Sequence, residues 1–73
     1  MKVCACVELV CGVVDKMSVF PSFEAGMEYF NKCVPPQEAE NWSEVVYGDN
    51  FAHAIDNEDS DYEIYMEMVG MEG

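Results

Sequence analysis

Four cysteines (Cys4, Cys6, Cys11 and Cys33) and one histidine (His53) are the residues of this 73-residue chain best equipped for chemistry. Their donor types suit zinc, but their spacing does not. It runs C-x-C-x4-C with Cys33 and His53 well downstream, and no CxxC pair exists. Asp56, Glu58, Asp59 and Asp61 offer oxygens for calcium, but the glycine and terminal glutamate of an EF-hand loop are missing. Nucleophilic catalysis needs a cysteine or serine beside a histidine, and the one histidine, His53, reads as a surface or packing residue. Carboxylates abound, yet nothing marks a cleft that would hold a pair of them for acid–base work. The chain is therefore expected to be no enzyme and to carry no metal or cofactor. On a strand, Cys4 and Cys6 share a side roughly 7 Å apart, at the limit of a disulfide's reach. They read as reduced, buried, small apolar residues, which fits a cytosolic setting.

Charge is the other chemical resource. Three lysines and no arginine stand against 15 acidic residues, for a net charge of −12. Residues 1–32 hold all three lysines and four acids; residues 33–73 hold the other eleven acids. Binding phosphates needs Lys and Arg to displace counterions, so direct nucleic-acid binding is excluded. Self-repulsion on this scale costs stability. Solubility or a salt-rich habitat would explain it, and so would a surface built for a basic partner. For the partner reading, Asp61, Glu63 and Glu67 lie on one side of a final strand, with Tyr65 among them. Asp59 sits in the preceding loop, and Glu40 and Glu44 form a second patch. Successive residues on one side of a strand are roughly 7 Å apart, and DNA carries a phosphate about every 3.4 Å of each strand. A carboxylate array at a multiple of that spacing can fill a groove lined with Arg and Lys.

Several elements must position these residues. Residues 3–10 (VCACVELV) and 13–20 (VVDKMSVF) alternate as two strands around a Cys11-Gly12 turn. A strict two-residue loop would oppose Glu8 to Asp15, so a one-residue slip pairing Glu8 with Lys16, Val7 with Met17 and Ala5 with Val19 is preferred. Ser22 is an N-cap, Glu24 suits the first turn, and Phe23, Met27, Phe30 and Val34 trace a helical stripe. Gly26 is a weak spot in that helix, or a close-packing point on the sheet. Pro35-Pro36 stop it. Residues 36–47 predict a short second helix, and 51–55 a helical turn or a loop. Residues 62–69 predict the last strand, with Tyr62, Ile64, Met66 and Met68 inward. The expected fold is a single α+β domain of order β-β-α-(α)-β: a small antiparallel three-stranded sheet with one or two helices on one face. The last strand most simply lies beside the first. Glu8 interrupts the N-terminal apolar run, which argues against a signal peptide, and no run is long enough for a transmembrane helix.

The segments GVVDKMSVF, PSFEAGMEYF and DYEIYMEM, in that order, resemble those of small phage- and prophage-encoded acidic proteins, some of them anti-CRISPR or anti-restriction nucleic-acid mimics. The resemblance covers size, charge and element order over most of the chain, and no functional residue is carried over from it. It implies an inhibitor in the cytoplasm of a bacterial host, binding a basic protein or nucleoprotein complex such as a CRISPR effector or other nuclease. The alternative is an interaction module that forms a homodimer or binds a partner through its sheet. Cys4, Cys6, Val10 and Phe20 are expected as the outer apolar positions of that sheet.

Overall fold

A computed structural model describes residues 2–56 and 61–70. Strands β1 (Lys2–Val10) and β2 (Val13–Phe20) are followed by helix α1 (Phe23–Cys33) and a 3-10 helix over Pro36–Asn41. Strands β3 (Glu44–Tyr47), β4 (Phe51–Asp56) and β5 (Tyr62–Gly70) complete the chain. All pairings are antiparallel, and the sheet order is β2-β1-β5-β4-β3. As expected, the last strand lies beside the first, with Lys2 facing Gly70 and Val10 facing Tyr62.

The first hairpin reconciles a tight turn with the charge pairing. Cys11 (φ 53) and Gly12 (φ 79) are both left-handed, the signature of a two-residue type I′ loop. Val10 pairs with Val13 and Leu9 with Val14; the register then shifts, and Glu8 pairs with Lys16. Asp15 is the extra residue of a bulge. One added residue thus removes the Glu8–Asp15 clash.

Helix α1 starts where Ser22 Oγ accepts from the Ala25 N–H at 3.1 Å. Glu24 and Lys32 complement the dipole at opposite ends. The helix lies on one side of the sheet. Phe30 and Val34 meet Cys4 and Cys6 of β1, Ala52 and Ala54 of β4, and Ile64 and Met66 of β5, all almost fully buried. Removing side chains the size of Phe30, Ile64 and Met66 from water contributes about 1.5–3 kcal/mol each. Alanines on β4 leave room for the helical side chains above it.

Several expectations fail here. The sheet has five strands, not three, and the second helix over residues 36–47 does not form. Only Pro36–Asn41 turns, as a 3-10 helix; Glu44–Tyr47 and Phe51–Asp56 form a hairpin, with the Gly48 N–H donating to the Phe51 carbonyl at 2.9 Å. Val45, Val46 and Tyr47 suit a strand better than a helix. In a three-stranded sheet, β5 would also have left a nine-residue edge unpaired, and β4 pairs with Tyr62–Glu67 of it. The sides of β1 are also reversed from the assembly expectation. Cys4 and Cys6 lie under the helix, and Phe20 packs on Tyr29 with ring centroids 5.4 Å apart. The uncovered side of β1 is Val3, Ala5, Val7 and Leu9.

Candidate functional site

Alternation along five paired strands gives the uncovered side of the sheet a definite pattern. Crossing from β2, one line of neighbours runs Met17, Val7, Tyr65, His53, Val46. The line on one side of it runs Val14, Leu9, Glu63, Ile55, Glu44, and the line on the other runs Val19, Ala5, Glu67, Phe51. The β2–β1 half is apolar, with Val14, Met17 and Val19 among the most exposed apolar side chains. The other half carries Glu44, Glu63 and Glu67. Strand geometry sets Glu63 and Glu67 roughly 13 Å apart and Glu44 about 10 Å from Glu63.

Glu63 and Glu67 are held in place. His53 Nε2 lies 2.6 Å from Glu63 Oε2. The His53 ring meets Tyr65 edge to face, centroids 5.5 Å apart, and Tyr65 donates its hydroxyl to Glu67 Oε2 at 3.0 Å. That bond holds the Tyr65 hydroxyl above its ordinary pKa. Glu63, His53, Tyr65 and Glu67 therefore form one connected line across β5 and β4.

No lysine shares this side. Lys16 pairs with Glu8 on the covered side and sets its Nζ 5.2 Å from the Tyr29 ring centroid. Lys2 alternates onto the same side as Lys16, and Lys32 is in the last turn of α1.

Of the acidic and aromatic residues that the sequence singles out for partner binding, Glu63, Tyr65, Glu67 and Glu44 are thus brought together. Asp61 is exposed just before β5, in a left-handed conformation (φ 49), and its carbonyl accepts the Cys11 N–H at 3.1 Å. Glu40 is exposed on the 3-10 helix and Glu44 begins β3. Asp59 lies outside the described residues. His53 and the Met17–Val19 band are members of this surface that sequence reasoning missed. Reading 51–55 as a turn or loop hid the alternation that places His53 beside Tyr65.

A second constellation lies under the helix. Glu8 is only 8% exposed. Its carboxylate accepts the Tyr29 hydroxyl at 2.5 Å and the Tyr62 hydroxyl, and Cys33 Sγ lies 4.0 Å from Oε1. The hydrogen bond to Glu8 is the main cause raising the Tyr29 pKa; for Tyr62 burial comes first and Glu8 second. Burial, then the Glu8 charge, pushes the Cys6 thiol up to about 12, which leaves it protonated and unreactive at neutral pH. Trp42 closes this region edge to face on Tyr62, centroids 5.8 Å apart. The cluster fastens helix to sheet.

All four cysteines are free thiols. Among the described residues, no three His, Cys, Asp or Glu side chains converge as a metal would require, and no helix is long and apolar enough to cross a membrane. Comparison with protein-family models, curated proteins and solved structures gave no match.

Proposed function

We propose that this chain is a small acidic inhibitor that sets the open side of its sheet into a basic, nucleic-acid-binding groove of a nuclease or defence complex. The observation that carries the reading is that the open side of the sheet holds carboxylates and no lysine. Glu44, Glu63 and Glu67 stand on the open side, and the lysines stand elsewhere. Carboxylates fixed by His53 and Tyr65 lose little side-chain freedom on binding, which favours affinity. The acidic field speeds encounter with a cationic groove, and Tyr65 is the aromatic anchor among the charges. Blocking would be steric and electrostatic, without chemistry.

The test is capture from a bacterial lysate on the immobilised protein, with washes of rising salt. A nucleic-acid-handling complex should be retained at low salt and shed at high salt. The variant Glu44→Gln/Glu63→Gln/Glu67→Gln should lose at least tenfold in affinity for that complex while keeping its circular dichroism spectrum. Unchanged affinity in the triple variant would refute the reading.

A further inference from the structure

We propose that two copies of the chain join edge to edge through β2, so that their sheets continue into one another. The proposal rests on the apolar edge strand of the open side and on none of its carboxylates, so it can fail or hold independently of the inhibitor reading. β2 and β3 are the two edges of the sheet. β3 has four residues and begins with an acid; β2 has eight, and its straight part, Lys16–Phe20, has no acid and no proline. Asp15 and Lys16 cancel, so the strand itself is neutral in a chain of net charge −12. Exposure supports the same edge: Met17 is 70% and Val19 66% exposed on the open side, next to Ala5 and Val7.

A twofold axis through Ser18, normal to the sheet, pairs Lys16–Phe20 with its copy in antiparallel fashion. Directly opposed residues share a side. Met17 then meets Val19 of the second copy twice on the open side, and Lys16 meets Phe20 on the covered side. Asp15 falls beyond the paired stretch. No carboxylate faces another. The competing arrangement closes the two open sides into a sandwich with sheets about 10 Å apart. It would bury Glu44, Glu63 and Glu67 of both copies against one another, with the desolvation and repulsion that entails. Charge therefore selects the edge over the side. Both open sides then point the same way, and the dimer displays two acidic arrays on one surface.

Sedimentation equilibrium over a wide concentration range, in salt high enough to screen the net charge, tests this. The native chain should move from one-chain to two-chain mass as concentration rises. The variant Met17→Lys/Val19→Lys puts like charges opposite one another across the axis. It should weaken association at least tenfold, and since both positions are solvent-exposed its circular dichroism should not change. A variant with Cys11→Ser and Ser18→Cys should form a disulfide-linked dimer on mild oxidation, because opposed Cα atoms about 4.5–5.5 Å apart are within reach of a bridge. A native chain that stays monomeric throughout would overturn the proposal. So would a dimer indifferent to the double lysine variant, or one tightened strongly by Glu44→Gln/Glu63→Gln/Glu67→Gln, the result a sandwich would give.

Discussion

Glu8 shows how one residue can read as an interruption in sequence and act as a fastener in the fold. It breaks an apolar run, yet it is buried and takes hydroxyls from α1 (Tyr29) and β5 (Tyr62). Its pairing with Lys16 was legible, because only that register avoids Asp15. Its two tyrosine donors were not, because they come from distant segments and depend on how the helix crosses the sheet. Both tyrosines have folded-state pKa values above the ordinary 10.0. The folded state therefore holds their protons more tightly than the unfolded chain. Their contribution is complete below about pH 10 and declines as pH rises further. Cys6, raised from 9.0 to about 12, adds a decline that begins near pH 9. Tyr62→Phe should cost about 1.5–3 kcal/mol at pH 8, the range for a hydrogen bond to a charged group. It should also flatten the loss of stability between pH 10 and 11. Urea unfolding across that range checks both; an alkaline decline as steep as the native one would show that Tyr62 does not titrate with folding.

At the scale of elements, α1 sits on the sheet at Gly26. A Cβ there would come within 2.4 Å of Cys4 Sγ and 2.8 Å of Met66 Sδ. Alanine favours a helix over glycine by about 1 kcal/mol. Overpacking a close contact costs about 1–3 kcal/mol, and Cys4 is fully buried with no room to withdraw. Gly26→Ala should therefore destabilise despite its better propensity. Adding Cys4→Ala should recover part of that loss, so the two effects should not add in a thermal-unfolding double-mutant cycle. The helix and the first hairpin were legible because each carries its own punctuation: Ser22 and Pro35 for one, Cys11-Gly12 for the other. The β3–β4 hairpin was not, because Pro36 and the acids after it look like a helix start. Only the need of β5 for a neighbour decides the matter, and that need belongs to the assembled sheet.

For the whole molecule, the net charge of −12 is the dominant long-range term. Repulsion among acids on β3, β5 and the 3-10 helix opposes compaction and is screened by salt. Raising sodium chloride from 10 mM to 0.5 M should raise the melting temperature. If screening restores about 1 kcal/mol, the rise is about 4–8 °C for a domain of this size. A melting temperature that does not move would show the acids too dispersed to interact. The charge asymmetry between the two parts of the chain was plain in sequence. Which carboxylates share the open side of the sheet, free of lysine, was not, since that takes the strand order and the side on which α1 lies. Glu63 and Glu67 could be placed on one side of a strand from alternation alone; His53 and Glu44 joined them only through the unforeseen hairpin.

The placement of β5 between β1 and β4 bears on how the protein comes to be folded. The two ends of the described chain meet in the middle of the sheet, where Lys2 faces Gly70. Each β1–β5 contact closes a loop spanning most of the chain, and such closure is entropically slow. While the chain is being synthesised, β1 and β2 can pair early, but Cys4 and Cys6 gain their in-sheet neighbours Met68 and Met66 only after β5 has left the ribosome. Until then the nascent hairpin exposes an apolar surface, and a growing chain must keep it from aggregating.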